Sequence, residues 1–374
     1  MTEWRKRCLG EITSFMSKGI PPKYVERENE NTVRVLNQKC NRNFEINYEE
    51  SRLHDCSKKK VPADKMLRPG DVLINSTGTG TAGRVAQLYD VPTSTTIDGH
   101  MILLRPTEEI DSIYYGYAVK AFQPQIETLA EGSTGQTEIN RKRLQEEIVI
   151  SFPKEKETQE RIAYFLLNID EKIKVNNKIN KNLLEQAQAI YTKMFITDAD
   201  SLWPEGKLSD LIEVCYGKDH KKLHDGDIPV YGSGGIMRHV DRALYEQESV
   251  LVPRKGTLNN VMYVNEPFWS VDTMFFTKMK RQNVAKFVFH FLKGKDLASM
   301  NAGSAVPSMT TKILNAIPLQ IPDDQTLSTF EAQVSPFYQT ASYNNKESEN
   351  LAAIRDSLLP KLMSSEIDVS DIDL

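Results

Sequence analysis

Ile162-Ala163-Tyr164-Phe165-Leu166-Leu167-Asn168-Ile169-Asp170-Glu171-Lys172-Ile173 opens a run in which apolar residues return alternately every four and every three positions. Continuing that step gives Ile162, Leu166, Ile169, Ile173, Asn176, Asn180, Leu183, Ala187, Ile190 and Met194. The period is that of a long helix with one coiled-coil seam. Near the end of the chain the same step gives Phe330, Val334, Phe337, Ala341, Asn344, Ser348, Leu351, Arg355, Leu358 and Leu362, with Arg355 the one charged intruder. Asn176-Asn177-Lys178-x3-Asn182-Leu183 matches Asn344-Asn345-Lys346-x3-Asn350-Leu351 at a constant offset of 168. The chain therefore carries two diverged copies of one plan, each closed by a long helix.

Both seams are polar at the centre and apolar toward the ends, which predicts an antiparallel pair. In that register Asn176 faces Ser348, Asn180 faces Asn344, Ile162 meets Leu362 and Met194 meets Phe330. A seam asparagine costs stability but fixes register, because any slip leaves an amide against hydrocarbon. The alternative is two separate surface helices on two globular cores. From Ile162 to Met194 a helix spans about 48 Å at its usual rise per residue, a ruler between two domains. Pro336 lies inside the second helix and puts its continuity there in question.

Working outward, Trp4-x4-Leu9-Gly10-Glu11-Ile12 recurs 199 positions later as Trp203-x4-Leu208-Ser209-Asp210-Leu211. In mid-copy, Asp71-Val72-Leu73-Ile74 turns through glycine and resumes at Arg84-Val85-Ala86. Its counterpart is Val250-Leu251-Val252, Gly256, then Val261-Met262-Tyr263. Both read as hairpins. The expected fold class is mixed α/β (α+β): a first domain over 1–153, a helix over 154–200, a second similar domain over 201–321, a helix over 322–364 and an acidic tail over 365–374.

The 374 residues suit two to three domains. No segment approaches a membrane span, and Met1-Thr2-Glu3-Trp4-Arg5-Lys6-Arg7 lacks a hydrophobic signal core, so a cytoplasmic location is expected. Cys8, Cys40, Cys56 and Cys215 show no CxxC spacing, which predicts free thiols. The formal net charge is −4, but the excess acid lies entirely in residues 321–374, where 3 basic residues face 10 acidic ones. Elsewhere the charge is balanced or slightly basic, with local clusters at Lys58-Lys59-Lys60, Arg141-Lys142-Arg143, Lys221-Lys222 and Arg254-Lys255. Such clusters can contact phosphates, but each taken singly reads as a solvated face.

Catalytic signatures are missing. Gly78-Thr79-Gly80-Thr81-Ala82-Gly83 matches G-x-G-x-x-G, yet strand-like Arg84-Val85-Ala86-Gln87 follows it where a dinucleotide site needs a helix, so a hairpin turn is predicted. Walker, H-E-x-x-H and G-x-S-x-G motifs are absent. Ile20-Pro21-Pro22-Lys23-Tyr24 lacks the polar residue and the adjacent aromatic of an amino-methyltransferase motif. His54, His220, His224 and His239 read as loop or surface residues without metal-ligand spacing.

What remains are loops rich in groups that address base edges and phosphates. In the first copy these are Asn37, Gln38 and Lys39; Ser76, Thr77 and Thr79 with Arg84; and Ser133, Thr134 and Gln136. In the second they are Tyr231 and Ser233; Arg254, Lys255, Asn259 and Asn260; and Ser304. Ordinary turn chemistry uses the same residue types.

With these residues in view, the chain resembles the specificity subunit of a type I restriction-modification system. The doubled Trp-x4-Leu opening carries the resemblance, as do Ile228-Pro229-Val230-Tyr231-Gly232-Ser233-Gly234-Gly235, Gly132-Ser133-Thr134-Gly135-Gln136, and Arg161 to Ile173 running into Asn180 and Leu183. The resemblance implies two target-recognition domains, each reading half of a split site in double-stranded DNA. It implies helices that hold the domains apart and dock two methyltransferase subunits, with two ATP-driven restriction and translocase subunits joining for cleavage. No cofactor is expected on this chain; S-adenosylmethionine, ATP and Mg belong to the partner subunits. The chain itself is then non-catalytic. Competing expectations are a scaffold that bridges proteins without reading DNA, and a self-contained nuclease or methylase, which would need the missing motifs.

Overall fold

A computed structural model describes residues 3–132, 137–300, 308–364 and 366–367. The chain divides into two compact units, Met1–Val175 with Glu347–Leu374, and Asn176–Lys346. Each long helix, Lys156–Thr192 and Asp324–Met363, contributes one part to each unit.

In the first unit, Met101–Pro106 lies at the heart of an antiparallel sheet ordered Thr13–Lys18, Met101–Pro106, Val72–Asn75, Val85–Gln87. Met101 to Arg105 and Val72 to Asn75 are buried throughout, as strands covered on both faces must be. The hairpin read from the sequence forms, with Ile74 opposite Val85. A second sheet pairs Thr95–Ile97 in parallel with Thr32–Leu36, which runs antiparallel to Arg52–Asp55, with Tyr24–Val25 at the edge. Trp4–Cys8 pairs with Val149–Pro153. The helix Ser112–Ala121 is capped by Asp111, whose carboxylate accepts from the Ile113 and Tyr114 amides at 2.9 and 2.8 Å.

The second unit repeats this topology. Its main sheet is ordered Ile212–Tyr216, Met274–Met279, Ser249–Pro253, Met262–Val264. Its smaller sheet again has a parallel pair, Trp269–Ser270 beside Ile228–Gly232, extended antiparallel by Gly235–Val240. Glu205–Lys207 pairs with Pro318–Gln320, and Ala285–Lys293 supplies the helix against the sheet. Leu9 and Ile12 of the first Trp-x4-Leu opening, and Leu208 and Leu211 of the second, are all fully buried, so the repeated opening is a core signature.

Every seam position read from the sequence is buried or half-buried in both helices, and the helices pair antiparallel within each unit. In the first, Arg355 at its seam position makes an ion pair with Asp170, which also accepts from Tyr117 Oη at 2.6 Å. Lys172 Nζ lies 3.2 Å from Glu347. Ile162 and Leu362 share one core. In the second unit Asn344 Nδ2 donates to Asn180 Oδ1 at 2.8 Å, Asn180 Nδ2 to Asn345 Oδ1 at 2.7 Å, and Asn176 Nδ2 to the Asn344 carbonyl at 3.4 Å. Met194 packs against the core that holds Phe330. The predicted facing of Asn180 and Asn344 holds.

Two expectations are corrected. Pro336 does not interrupt the second helix, which runs through it. Pro336 is exposed while Phe330 and Val334 before it are fully buried, so the missing N–H lies on the wet side and packing carries the helix across the gap. His54 is buried, not a surface residue: Nδ1 accepts from the Lys23 amide at 2.7 Å and Nε2 lies 2.7 Å from the Lys59 carbonyl. The four cysteines are free, as expected. Among the described residues no helix is long and apolar enough to cross a membrane.

Candidate nucleic-acid interface

In the first unit, loops leaving the two sheets meet at one end. Strand Thr32–Leu36 ends at the Asn37-Gln38-Lys39 turn, and Val72–Asn75 ends at the turn containing Ser76, Thr77 and Thr79. A buried polar chain locks them together. Asn75 Nδ2 donates to the Gln38 carbonyl at 3.1 Å, and Asn41 Nδ2 reaches Asn75 Oδ1 at 3.2 Å and the Arg84 carbonyl at 2.8 Å. Gly78 has φ +115°, and a Cβ there would lie 2.2 Å from Thr81 Oγ1 and 3.2 Å from Gln38 Nε2. That glycine is a turn requirement, and strand Val85–Gln87 follows it, so the G-x-G-x-x-G stretch is a hairpin turn as read. Thr77 also bridges to Glu138, and the Ile139 amide donates to the Ser76 carbonyl at 2.8 Å.

The side chains so gathered divide by what they are free to do. Lys39 and Thr79 are exposed, and among the described residues Lys39 has no ion pair. Arg84 is half-buried, with Nη2 on the Gly80 carbonyl at 3.1 Å. Thr77 Oγ1 lies 2.9 Å from His100 Nδ1. Asn37 is committed locally: its Nδ2 donates to the Glu50 carbonyl at 3.1 Å and its Oδ1 accepts from the Lys39 amide at 2.9 Å. Ser76 is fully buried. Of these two expected readers, Asn37 hydrogen-bonds within its own loop and Ser76 is closed off from solvent. Ser133, Thr134, Gln136 and Ser304 lie outside the described residues.

The second unit builds the same cluster. The hairpin turn after Ile228–Gly232 lies against the loop from Arg254 to Asn260: Asn260 Nδ2 donates to the Ser233 carbonyl at 2.8 Å, and a Cβ at Gly256 would lie 2.8 Å from Ser233 Oγ. Lys255 bridges to Ser308, as Thr77 does to Glu138 in the first unit. Arg254 Nη1 donates to the Asp272 carbonyl at 3.2 Å, and its guanidinium lies 5.5 Å from the centre of the exposed Tyr216 ring. Lys255 is exposed and without an ion pair among the described residues. Tyr231 is half-buried, edge-on to Phe268. Asn259 and Asn260 both hydrogen-bond to neighbouring segments. Asn259 donates to Asp296 at 3.1 Å and accepts from the Ala298 amide at 2.9 Å, and its amide is the main cause holding the Asp296 carboxyl below its ordinary range.

Residues not singled out from the sequence also stand here: His100, Tyr216, Ile236 and Met237 are exposed. Only a residue's place beside an already chosen loop could have pointed to them. Among the described residues no group of three or more His, Cys, Asp or Glu could hold a metal ion. What the arrangement offers is cations, hydroxyls and backbone amides set on rigid sheet ends, the means of binding phosphate and base edges.

A family model for the type I restriction modification DNA specificity domain matches residues 1–185 and 200–351. A candidate type I specificity subunit of Mycoplasma genitalium is 25% identical over 70% of this chain and 72% of its own length. The specificity subunit of the type I restriction enzyme HindI of Haemophilus influenzae is 20% identical over 98% of this chain and its whole length. The crystal structure of a type I restriction-modification S subunit from M. genitalium has the same fold, with a TM-score of 0.60 at 20% identity over 97% of this chain and 96% of that one.

Proposed function

Because the chain belongs to the type I restriction-modification DNA specificity family, we propose that it is the non-catalytic reading subunit of a methyltransferase and restriction complex. Each unit reads one half of a bipartite site in double-stranded DNA. The long helices set the spacing and carry two methyltransferase subunits, and two restriction and translocase subunits complete the assembly. S-adenosylmethionine, ATP and Mg are bound by those partners, in the cytoplasm. The observation that supports this reading best is the duplication of one loop cluster on one topology, with Lys39 and Arg84 offered in the first unit and Arg254 and Lys255 in the second. A scaffold that only bridges proteins needs no such matched pair of polar clusters.

The mechanism is positional. A bidentate side-chain contact to the right base contributes about 1–3 kcal/mol of discrimination, and two half-sites read by one chain multiply their selectivities. Chemistry falls to the partner, which the reader brings to a base beside each half-site.

The test is to co-express this chain with a cognate methyltransferase subunit and map methylated adenines across a genome by single-molecule sequencing. One split motif with a fixed spacer is expected, and Arg254→Ala is expected to relax one half while leaving the other intact. A stable complex that methylates nothing, or a motif indifferent to loop substitutions in both units, would favour the scaffold.

A further inference from the structure

The hairpin Ile228–Gly232 and Gly235–Val240 turns through Ser233 and Gly234. Its register slips between Val230 and Tyr231: Tyr231 faces Ile236 and Val230 faces Arg238, so Met237 is left unpaired in a β-bulge. A bulge re-aims the side chain it carries. Met237 is 60% exposed and Ile236 46%, whereas Val230 and Val240 on the same hairpin are fully buried. A Cβ at Gly232 would lie 2.5 Å from Met237 Sδ, so the thioether rests across that glycine. Gly232 adjoins Ser233, which packs on the Arg254 to Asn260 loop. Met237 therefore belongs to the same cluster as the cations.

The tip is nearly bare. Gly234 has no positive φ, and a Cβ there would meet nothing within 4 Å. The fold does not require glycine at 234, and a glycine there leaves the tip open to close approach by another molecule. A two-stranded ribbon of this kind fits the roughly 12 Å major groove of B-DNA. In that groove thymine alone presents a methyl group, the natural match for a polarizable thioether. The surroundings of Met237 favour DNA over a protein surface, for Arg254, Lys255, Ser233 and the tip glycines suit phosphates and base edges.

We propose that this hairpin enters the major groove and that Met237 reads the 5-methyl group of a thymine in the half-site of the second unit; the proposal rests on the DNA-reading function above. The bulge aims the side chain, Gly232 leaves room for it, and the glycine tip lets the ribbon seat.

The test uses the full chain assembled with its methyltransferase subunits, once the methylated motif is mapped. Each thymine of both half-sites is replaced in turn by deoxyuridine, which lacks only the methyl group, and binding is followed by fluorescence anisotropy. At one thymine the replacement should weaken wild-type binding roughly threefold to fivefold, the size of one buried methyl. Met237→Ala should bind thymine and uracil there alike, and Met237→Leu should keep the preference. The proposal is overturned if no thymine shows a preference that depends on residue 237, whatever the overall affinity. Absence of any split motif for the wild-type complex would instead remove the underlying reading, and the proposal with it.

Discussion

His290 shows how a single residue can tie a unit together. It is fully buried, with Nδ1 2.7 Å from Gln188 Oε1 and Nε2 2.8 Å from Tyr338 Oη. Because the Gln188 oxygen can only accept, the neutral ring carries its proton on Nδ1 and accepts from the Tyr338 hydroxyl. Burial pushes its pKa down to about 4, below the roughly 6.5 of an unfolded histidine. Between those values the unfolded chain binds a proton that the folded unit refuses. Stability therefore falls as pH drops from about 6.5 to about 4, by up to roughly 1.4 kcal/mol per pH unit, and is insensitive to this group above that window. His290→Gln, which cannot titrate, should flatten this part of the profile in urea unfolding between pH 7 and pH 4. An identical slope in both proteins would contradict the assignment. Nothing at the level of spacing marks His290, which sits in the apolar run Phe287-Val288-Phe289-His290-Phe291; its role exists only where two helices from distant parts of the chain meet it.

The long helices were the most legible elements because a 3.5-residue period is a local property, and polar residues at the seam centre allow one antiparallel register. Asn180 and Asn344 put that logic to the test. Asn180→Leu alone should remove the acceptor Oδ1 of the Asn344 amide and cost about 1–3 kcal/mol, read as a lowered urea midpoint. Asn180→Leu with Asn344→Leu should recover that loss or exceed wild type, since both partners become apolar together, at the expense of register specificity. Strictly additive losses in the double variant would show that the two amides do not form a pair. Pro336 was not legible, because the effect of an interior proline depends on which side of the helix faces water. Pro336→Ala restores a donor at an exposed position and removes a residue that costs about 3 kcal/mol more than alanine in a helix interior. Its expected effect is a raised Tm; a lowered Tm would mean that the core around Phe330 and Val334 needs the proline.

At the scale of the whole molecule, the duplication was legible from three short matches, and the shared strand order of the two main sheets bears it out. The interface was legible only as a set of loops. Composition could nominate Lys39 and Lys255, which prove exposed, but could not separate them from Ser76, which is buried, or from Asn37, Asn259 and Asn260, whose amides hydrogen-bond to neighbouring loop segments. That distinction lies in hydrogen bonds between segments far apart in sequence. It has a consequence for affinity. A chain of net charge −4 has little long-range attraction for DNA, so the isolated chain should bind weakly and the assembled complex should owe its salt dependence to a few local cations. Each lysine on a phosphate contributes about 0.9 to the slope of log affinity against log salt. Lys39→Ala and Lys255→Ala in the assembled complex should each lower that slope by about this amount and weaken binding to all sequences alike. The methylated motif should stay unchanged, because phosphate contacts carry no base identity. An unchanged slope would place that lysine off the DNA, and an altered motif would make it a base reader. Nanomolar, sequence-specific binding by the isolated chain would overturn the weak-binding expectation itself.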